Sequence, residues 1–422
     1  MTVAVVQALF DFTFYYPLFM SYVWATGAAY YFFYREQAEH RRPDNPPQLA
    51  DLPAVTFLVP CHNEGANVDE TIRSLLDQDY PELEVIAIND ASTDDTGARL
   101  DALGTREPRL RVIHFARNQG KAMGLRMGAL AARHEILICL DGDALLDRHA
   151  TRWLVRHFLE GARVGAVTGN PRVRNRTTLL GKIQVGEFSS IIGLIKRAQR
   201  IYGRVFTVSG VVAAFRKSAL HDVGYWNTDM VTEDIDVSWR LQLAHWDIRY
   251  EPNALCWILM PETLKGLWRQ RLRWAQGGVE VFRRYFRQLL HWRSRRMWIV
   301  GLELIVSTFW AYTIAGVFLL WALGLVVPMP APFVVATVLP GWTGVILGAT
   351  CLIQFGISLA IDSRYEPALG RYYYWMIWYP MIYWMIHSTA TIVSVPKAIA
   401  KERGKRAVWV SPDRGVRPGV SG

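Results

Sequence analysis

Residues 54–90 read AVTFLVPCHNEGANVDETIRSLLDQDYPELEVIAIND, two apolar runs on either side of an amphipathic segment. Residues 54–59 and 83–88 are rich in β-branched and other apolar side chains, which predicts two strands, and residues 68–76 have helical apolar spacing. The alternation continues as helix, strand, helix and strand at residues 94–103, 110–115, 121–132 and 136–140. Strands that alternate with helices predict an α/β fold with a doubly wound parallel sheet.

Polar residues follow three of the predicted strands at the point where each strand ends. They are Cys61, His62, Asn63 and Glu64 after the first strand, Asn89, Asp90 and Ser92 after the second, and Asp141 and Asp143 after the fourth. Ligands of such sheets bind beyond the carboxyl ends of the strands. Helix capping explains any one of these clusters equally well, but three together favour a binding site.

Long stretches of the chain are suited to a membrane. The 422 residues are 51% hydrophobic, with a mean hydropathy of +0.10. Stretches 12–34, 304–361 and 372–395 contain no charged residue. A membrane-crossing helix needs about 20 residues, so the two outer stretches can each supply one crossing and the middle stretch two. We therefore predict about four membrane segments.

Two of these stretches have alternative interpretations. The first could be a secretory signal, but Asp11 near its start and the lack of a small-residue cleavage site before Arg35 favour an anchor. The last is interrupted by Pro380, so residues 372–386 could instead be interfacial or re-entrant. Arg35, Arg41 and Arg42 follow the first stretch, and basic residues at a membrane end indicate the cytoplasmic side.

The formal net charge of +10 favours contact with membrane lipids or with anionic substrates. Nucleic acid is not an expected partner, because no helix-turn-helix, zinc-finger or RNP pattern accompanies the charge. The four cysteines lie far apart without paired spacing, which argues against a disulfide framework or a zinc cluster. Reduced thiols fit a cytoplasmic domain.

Asp141 and Asp143 flank a single glycine at the end of a predicted strand. Two carboxylates so close can share a hard divalent cation, Mg²⁺ or Mn²⁺, with the oxygens of a diphosphate. Such a cation would neutralise the charge that develops on a nucleoside-diphosphate leaving group. The alternative is a turn that only ends the strand.

Glu233 and Asp234 precede a predicted helix over residues 235–243. Acidic residues at this position can simply stabilise the positive end of a helix. A transferase also needs a carboxylate, apart from the metal, to accept the proton of the attacking hydroxyl. Repulsion from Glu233 would raise the pKa of Asp234, and we predict Asp234 as the general base.

Residues 264–286 form a basic, aromatic helical stretch before the C-terminal apolar block. Gln270, Arg273 and Trp274 share one face of this helix, where an arginine can bind phosphate and an indole can pack against a sugar ring. The alternative is an interfacial helix with Trp268, Trp274 and Phe282 towards lipid. Lys121 begins another predicted helix and could face a nucleotide, although residues 118–121 do not match an ATPase phosphate loop.

These motifs, in this order, resemble the processive family-2 glycosyltransferases, which include cellulose, hyaluronan, chitin and poly-N-acetylglucosamine synthases. The resemblance implies a Rossmann-like, nucleotide-sugar-binding domain flanked by membrane helices. It implies nucleotide contact for Asp90, diphosphate and metal contact for Asp141 and Asp143, and catalysis by Asp234. It also assigns Gln270, Arg273 and Trp274 to the Q-x-x-R-W signature of processive synthesis. The remaining predicted substrate-binding residues are Asn63, Glu64, Lys121, Ser209, Gly210 and Glu233.

The resemblance to the poly-N-acetylglucosamine synthases extends over nearly the whole chain, including residues 167–172, 181–187, 207–210, 260–264 and 407–415. It implies UDP-N-acetylglucosamine as donor, inversion at the anomeric carbon, and export of the polymer into a biofilm matrix. It further implies a bacterial inner-membrane location with a cytoplasmic catalytic domain. A small membrane accessory subunit and regulation by cyclic di-GMP are also implied.

We divide the chain into an N-terminal membrane segment (1–36), a linker (37–53), a transferase domain (54–263), interfacial helices (264–296), C-terminal membrane helices (297–396) and a basic tail (397–422). Two alternatives within the enzyme class are a hyaluronan-like or chitin-like synthase and a transferase that moves one sugar to a lipid carrier. A transporter with a nucleotide-binding domain is the alternative from another class, and it gives the acidic motifs no role.

Overall fold

The structure, a computed structural model, describes residues 3–37, 42–338, 341–402, 404 and 406. Arg41 and almost all of the predicted tail after Glu402 lie outside these residues. The strands of the described part are β1 (Val55–Cys61), β2 (Leu83–Asn89), β3 (Leu110–His114), β4 (Ile136–Leu140), β5 (Leu145–Leu146), β6 (Val164–Val173), β7 (Val212–Arg216) and β8 (Asp247–Ile258). The strands predicted for the first half of the domain are therefore confirmed to within two residues at each end.

The α-helices of the described residues fall into two groups. Those before the C-terminal apolar block are α1 (Val3–Tyr31), α2 (Val68–Leu76), α3 (Thr96–Arg106), α4 (Lys121–Ala131), α5 (Ala150–Glu160), α6 (Leu179–Phe188), α7 (Ile195–Tyr202), α8 (Lys217–Asp222) and α9 (Glu233–Leu243). Those that follow are α10 (Leu264–Leu289), α11 (Trp298–Gly324), α12 (Trp342–Asp362) and α13 (Trp384–Ala400). A π-helical turn, Phe32–Glu36, extends α1.

All eight strands belong to one sheet with the order β3-β2-β1-β4-β7-β6-β8-β5. Strands β1 to β4 are parallel, as predicted, and carry the doubly wound part of the fold. The second half is mixed, because β7 runs antiparallel to both β4 and β6, and β5 runs antiparallel to β8. The prediction of a doubly wound parallel sheet, which rested on residues 54–140, is therefore confirmed for β1 to β4.

The parallel half of the sheet is covered on both faces. Every residue of β1, β2 and β4 is buried, which is why these strands read as continuous apolar runs rather than as alternating patterns. Helix α4 packs close to β1 and β2 at Gly128, where a Cβ atom would lie 3.0 Å from the Ile88 side chain. This close packing fixes the start of α4, and with it Lys121, beside the carboxyl edge of the sheet.

Three helical segments of the described residues are long and apolar enough to cross a membrane: Val3–Glu36, Trp292–Gly324 and Trp342–Asp362. We refer to them as the first, second and third membrane helices. The fourth predicted crossing does not form one apolar helix, because it is divided into a 3-10 helix (Leu369–Ile377), a π-helical turn (Tyr379–Tyr383) and α13. Pro380, which lacks a backbone N–H, lies in the turn. The sequence predicted about four membrane segments, and the described residues contain three helices of this kind.

Helix α10 is enclosed by protein along much of its length. Arg283 donates to the carbonyl of Ala398 at the end of α13, and Trp274 and Phe282 pack against Phe188 and Trp239. The alternative in which Trp274 and Phe282 face lipid is therefore wrong. Helical periodicity identified the apolar face of α10 correctly but could not show that neighbouring helices cover it.

Buried ion pairs connect two membrane helices to the transferase domain. Arg197 on α7 contacts Glu36 at 2.6 Å and Asp362 at 2.9 Å, and Arg172 on β6 contacts Asp362 at 2.6 Å and Glu366 at 3.1 Å. Asp362 is completely buried and accepts from both arginines. We call Glu36, Arg172, Arg197, Asp362 and Glu366 the junction cluster. It joins the ends of the first and third membrane helices to the sheet.

Candidate active site

The loops after β1 and β2 are joined by Asn63 and Glu64. The Asn63 side-chain carbonyl accepts from the backbone N–H of Thr93 at 2.8 Å, and the Asn63 backbone N–H donates to Ser92 at 3.0 Å. Glu64 is buried, and its backbone N–H donates to the Thr96 hydroxyl at 2.8 Å. Two of the three predicted clusters therefore meet at the same edge of the sheet.

Asp90 organises the loop that leads into α4. Its carboxylate is completely buried and accepts from the backbone N–H groups of Gln119 at 2.7 Å and Gly120 at 2.8 Å. These contacts hold residues 118–120 in the conformation that begins α4 at Lys121. A direct contact between Asp90 and a nucleotide stays a prediction.

Lys121 brings together acidic residues from distant parts of the sequence. Its Nζ lies 2.6 Å from Asp141 Oδ1 and 3.2 Å from Glu233 Oε1, and it donates to the Gly210 carbonyl at 2.9 Å. Burial alone would lower the pKa of Lys121, but the carboxylates of Asp141 and Glu233 outweigh burial and raise it. The ammonium therefore stays charged and links the end of β4, the start of α9 and the loop before β7.

Asp141 and Asp143 lie on either side of a fixed turn. The hydroxyl of Thr71 donates to the Gly142 carbonyl at 3.0 Å, which holds the turn against α2. Burial raises the pKa of Asp141, Lys121 opposes the rise, and the negative charge of Asp143 adds to it. Two carboxylates thus concentrate negative charge at this edge of the sheet.

This arrangement fits a divalent cation that is shared with a substrate. Within the described residues no group of three or more histidines, cysteines or carboxylates could hold a metal ion. A cation at this edge would be held by the two carboxylates of Asp141 and Asp143, and a diphosphate and water would complete its coordination. Mg²⁺ is commonly bound in this way, through one or two carboxylates and substrate phosphates.

Asp234 lies against the loop that contains Ser209 and Gly210. A Cβ atom at Gly210 would lie 3.0 Å from Asp234 Oδ2, so glycine at this position lets the loop approach the carboxylate. Burial and the charge of Glu233 raise the pKa of Asp234 to about 6, which agrees with the predicted direction. Burial opposes ionisation of Glu233 as well, but Lys121 lowers its pKa. Adjacent carboxylates with separated pKa values are typical of acid–base sites.

The rate of transfer is expected to fall below pH 6 if Asp234 is the base. Asp234 accepts a proton only when ionised, and its pKa of about 6 means that protonation removes the active form as the pH falls through that value. Initial rates of sugar incorporation at saturating donor between about pH 5 and pH 8 test this, with about a tenfold fall per unit at the acid end. A rate that stays constant down to pH 5 would contradict the assignment.

Arg273 and Trp274 lie on α10 next to this group. Arg273 is exposed. Its positive charge helps to lower the pKa of Glu233 and opposes the rise in the pKa of Asp234. Trp274 is partly buried beneath the guanidinium of Arg271, whose central carbon lies 4.4 Å from the ring centroid. Gln270 accepts from Arg271 at 2.8 Å. Gln270 and Trp274 are thus both in contact with Arg271, which we did not predict.

Arg271 is itself held by a buried carboxylate. Glu187 on α6 accepts from Arg271 at 2.5 Å, from Tyr383 at 2.9 Å and from the His387 ring at 2.5 Å. Burial opposes ionisation, but Arg271 and His387 lower the pKa of Glu187 to about 2. Only the resemblance over residues 181–187 pointed to this segment, and nothing in the sequence indicated a role for Glu187.

Glu187→Gln is expected to lower the free energy of unfolding by about 3 kcal/mol, because it leaves the buried Arg271 without a counter-charge. Glu70→Gln is the matched control, since Glu70 pairs with Arg174 on the exposed surface and should contribute at most about 1 kcal/mol. Thermal unfolding of the purified variants in detergent measures both. Equal unfolding temperatures for the two variants would show that the buried ion pair stabilises the fold no more than the exposed one.

Lys196 is a second buried cation that the sequence did not reveal. Its Nζ donates to the Thr168 hydroxyl at 2.9 Å, and the same hydroxyl accepts from the Ser209 backbone N–H at 2.8 Å. Burial lowers the pKa of Lys196 to about 7, although Asp234 opposes the change. Lys196 therefore supports the Ser209–Gly210 loop from below and acts electrostatically on Asp234.

Comparison with known proteins gives one family and one set of relatives. The profile of the family described as Glycosyltransferase like family 2 matches residues 53–277. A poly-beta-1,6-N-acetyl-D-glucosamine synthase of Staphylococcus epidermidis is 41% identical over 413 residues, which cover 96% of this chain and 98% of that protein. The synthase of the same name from Staphylococcus aureus strain COL is 40% identical over 408 residues, with the same coverage.

A solved structure has the same fold. The mannosyltransferase PcManGT from Pyrobaculum calidifontis, in complex with GDP-Man and Mn²⁺, superposes with a TM-score of 0.62 at 20% identity. The match covers 94% of this chain and 99% of that one. It extends the similarity in fold beyond the sheet to nearly the whole chain.

Proposed function

The chain belongs to glycosyltransferase family 2 and is a hexosyltransferase, and from this premise we propose that it polymerises N-acetylglucosamine from UDP-N-acetylglucosamine into poly-β-1,6-N-acetylglucosamine. The observation that carries the proposal is the convergence of Asp141, Glu233 and Gly210 on the Lys121 ammonium. That convergence supports the proposal, because a metal-bound leaving group and a base that accepts the hydroxyl proton have to act at one centre. The identity of 41% over nearly full length supports the choice of sugar and linkage. A transporter does not need such a centre.

The proposed reaction is a single inverting displacement. Asp234 accepts the proton of the acceptor 6-hydroxyl as that oxygen forms a bond to C1 of the donor. The bond between C1 and the phosphate oxygen breaks, and UDP departs with the bonding electrons. Burial keeps the pKa of Asp234 near 6, which suits a base that must be ionised at neutral pH yet bind a proton in the transition state.

Asp141 and Asp143 would hold the divalent cation, Mg²⁺ or Mn²⁺. When bound, the cation supplies positive charge against the diphosphate of the leaving group. Lys121 contacts the carboxylates of Asp141 and Glu233 and favours their ionised forms, and Arg273 offers a guanidinium to the phosphates from α10. Asn63, Glu64 and Asp90 shape the nucleotide side of the site, and Gln270 and Trp274 shape the acceptor side.

The chain associates with a membrane through its long apolar helices. We place it in the bacterial inner membrane with the transferase domain in the cytoplasm, where the donor is made. The basic residue Arg35 at the end of the first membrane helix supports this orientation. The second membrane helix follows α10 with only a short turn between them, which suits transfer of the polymer from the site into the membrane. An accessory membrane subunit and control by cyclic di-GMP complete the proposal.

The proposal is tested by supplying purified membranes with Mg²⁺ and, separately, labelled UDP-N-acetylglucosamine, UDP-glucose and UDP-glucuronate. We expect a polymer from the first donor alone, and its complete digestion by a β-1,6-N-acetylglucosaminidase. A polymer that resists this hydrolase would indicate a hyaluronan-like or chitin-like synthase instead. A single sugar attached to lipid would indicate the non-processive alternative. Repeating the assay with the purified chain alone tests the need for an accessory subunit.

A further inference from the structure

A polar cavity of about 380 Å³ lies where the membrane helices meet the transferase domain. Its wall includes Arg35 at the end of the first membrane helix, Arg364 just after the third, His157 on α5 and Arg249 on β8. None of the residues assigned above to the active site lines it. The cavity is therefore a separate feature that the proposed transfer reaction does not use.

The lining of the cavity has an excess of positive charge. It contains three glutamates and five arginines, the latter being Arg35, Arg156, Arg200, Arg249 and Arg364. One acid next to the cavity, Asp247, is shared between Arg200 at 3.0 Å and Arg249 at 3.5 Å. An anion that entered the cavity would therefore meet guanidinium groups in excess of the carboxylates that could balance them.

The three glutamates already have partners. Glu36 accepts from Arg197 at 2.6 Å in the junction cluster, Glu251 contacts the His157 ring at 2.9 Å, and Glu160 contacts Arg156 at 2.6 Å. Glu36 and Glu160 are thus each paired with a guanidinium, and Glu251 is held by the His157 ring. Arg249 also lies 3.6 Å from Glu160, so the cationic character of the cavity comes from the excess of five guanidinium groups over three carboxylates and not from unpaired arginines.

Three residues of the lining also keep a buried polar atom without a hydrogen-bond partner in the described part of the chain. These atoms are Tyr250 Oη, His157 Nδ1 and Asn253 Oδ1. Buried polar groups are normally hydrogen-bonded, so the wall of the cavity is a region whose polar groups the protein does not fully satisfy. The three atoms have almost no accessible surface, so the binding of an anion depends on the arginines of the lining rather than on these atoms.

The position of the cavity points to the source of the anion. Arg35 lies in the last turn of the first membrane helix and Arg364 two residues beyond the end of the third. Both therefore lie at the level where an apolar helix leaves the hydrocarbon and reaches the phosphates of the lipids. Basic pockets between membrane helices at this level commonly bind anionic headgroups. The volume is within the range of about 300–1,000 Å³ that is usual for small-ligand sites.

We propose that this cavity binds the phosphate-bearing headgroup of an anionic phospholipid. The guanidinium groups of Arg35 and Arg249 donate charge-assisted hydrogen bonds to the phosphate. Such a lipid would hold the transferase domain against the membrane at the side where Glu36 and Tyr365 already contact each other.

The test uses the purified full-length chain in a nonionic detergent and short-chain lipids below their micellar concentration. Calorimetric titration with dihexanoylphosphatidylglycerol should show saturable binding, at least about tenfold tighter than with zwitterionic dihexanoylphosphatidylcholine. The double variant Arg35→Gln, Arg249→Gln should lose at least about tenfold in affinity for the anionic lipid. Arg293→Gln is the matched control, because Arg293 is an exposed arginine at the start of the second membrane helix and outside the cavity.

Inorganic phosphate distinguishes a lipid from a free anion. If phosphate alone binds as tightly as dihexanoylphosphatidylglycerol and displaces it, the cavity is a site for a soluble anion and the lipid assignment is overturned. Equal binding of the two lipids, or an equal loss in Arg293→Gln, would overturn the site altogether. Thermal unfolding checks that the double variant is folded. Should it not fold, the comparison of the two lipids with the unaltered chain decides the proposal.

Discussion

Asp234→Asn is expected to reduce polymer synthesis by about 10³-fold, because asparagine cannot accept the proton of the acceptor hydroxyl. The amount of protein in the membrane should not fall. Asp234 has a pKa of about 6 in the folded chain, above its ordinary value, so at neutral pH the ionised carboxylate is less favourable in the folded state than in the unfolded state. A neutral amide of the same shape removes that cost, and the variant should be at least as stable as the parent.

Asp236→Asn provides the control from the same helix. Asp236 is also completely buried, but its carboxylate accepts from Tyr285 at 2.7 Å, Arg240 at 2.9 Å and Asn227 at 3.0 Å and faces no part of the proposed site. Its substitution should lower the unfolding temperature while synthesis per folded molecule stays near that of the parent. Substantial synthesis by Asp234→Asn, measured with labelled donor in membranes normalised for protein, would reject Asp234 as the base.

Asp143→Ala is expected to reduce synthesis by about 10³-fold as well, for a different reason. The variant loses one of two carboxylates that can hold the cation, and water and diphosphate alone cannot fix its position. UDP binding separates this effect from the loss of a base. The unaltered chain should bind UDP more tightly with Mn²⁺ than with a chelator, and Asp143→Ala should bind it equally weakly in both.

The control for this second substitution is Asp101→Asn, because the Asp101 carboxylate is exposed and contacts His114 on the outer surface. It should retain both synthesis and metal-dependent UDP binding. Chelation followed by addition of Mg²⁺ or Mn²⁺ should abolish and then restore activity in the parent chain. Retention of metal-dependent UDP binding in Asp143→Ala would show that the cation is held elsewhere.

The parallel half of the fold could be predicted because strands that are buried on both faces appear in the sequence as continuous apolar runs. Strands such as β1 and β4 contain almost only apolar residues, and the helices between them have regular spacing. No sequence pattern indicated that β7 lies between β4 and β6 and runs antiparallel to both. Its five residues can pair in either direction, and the choice depends on partners more than 40 positions away.

The residues of the proposed site that follow strands could be predicted from the sequence. The buried residues that hold other site residues in place could not. Asp141 and Asp143 were recognisable because two carboxylates around a glycine are unusual at a strand end. Lys196 and Arg271 were not, because cations on an amphipathic helix normally face solvent or lipid headgroups. Here both are buried, and only the fold shows which carboxylates or hydroxyls receive them.

The junction cluster has a consequence for how the molecule is assembled in the cell. Glu36 and Asp362 lie at the ends of apolar helices that are long enough to cross a membrane, whereas Arg172 and Arg197 belong to the domain built on the sheet. Neither carboxylate can be buried at low cost until these cations arrive. Packing of the membrane helices and folding of the domain therefore depend on each other, because failure of either step leaves these charges without partners.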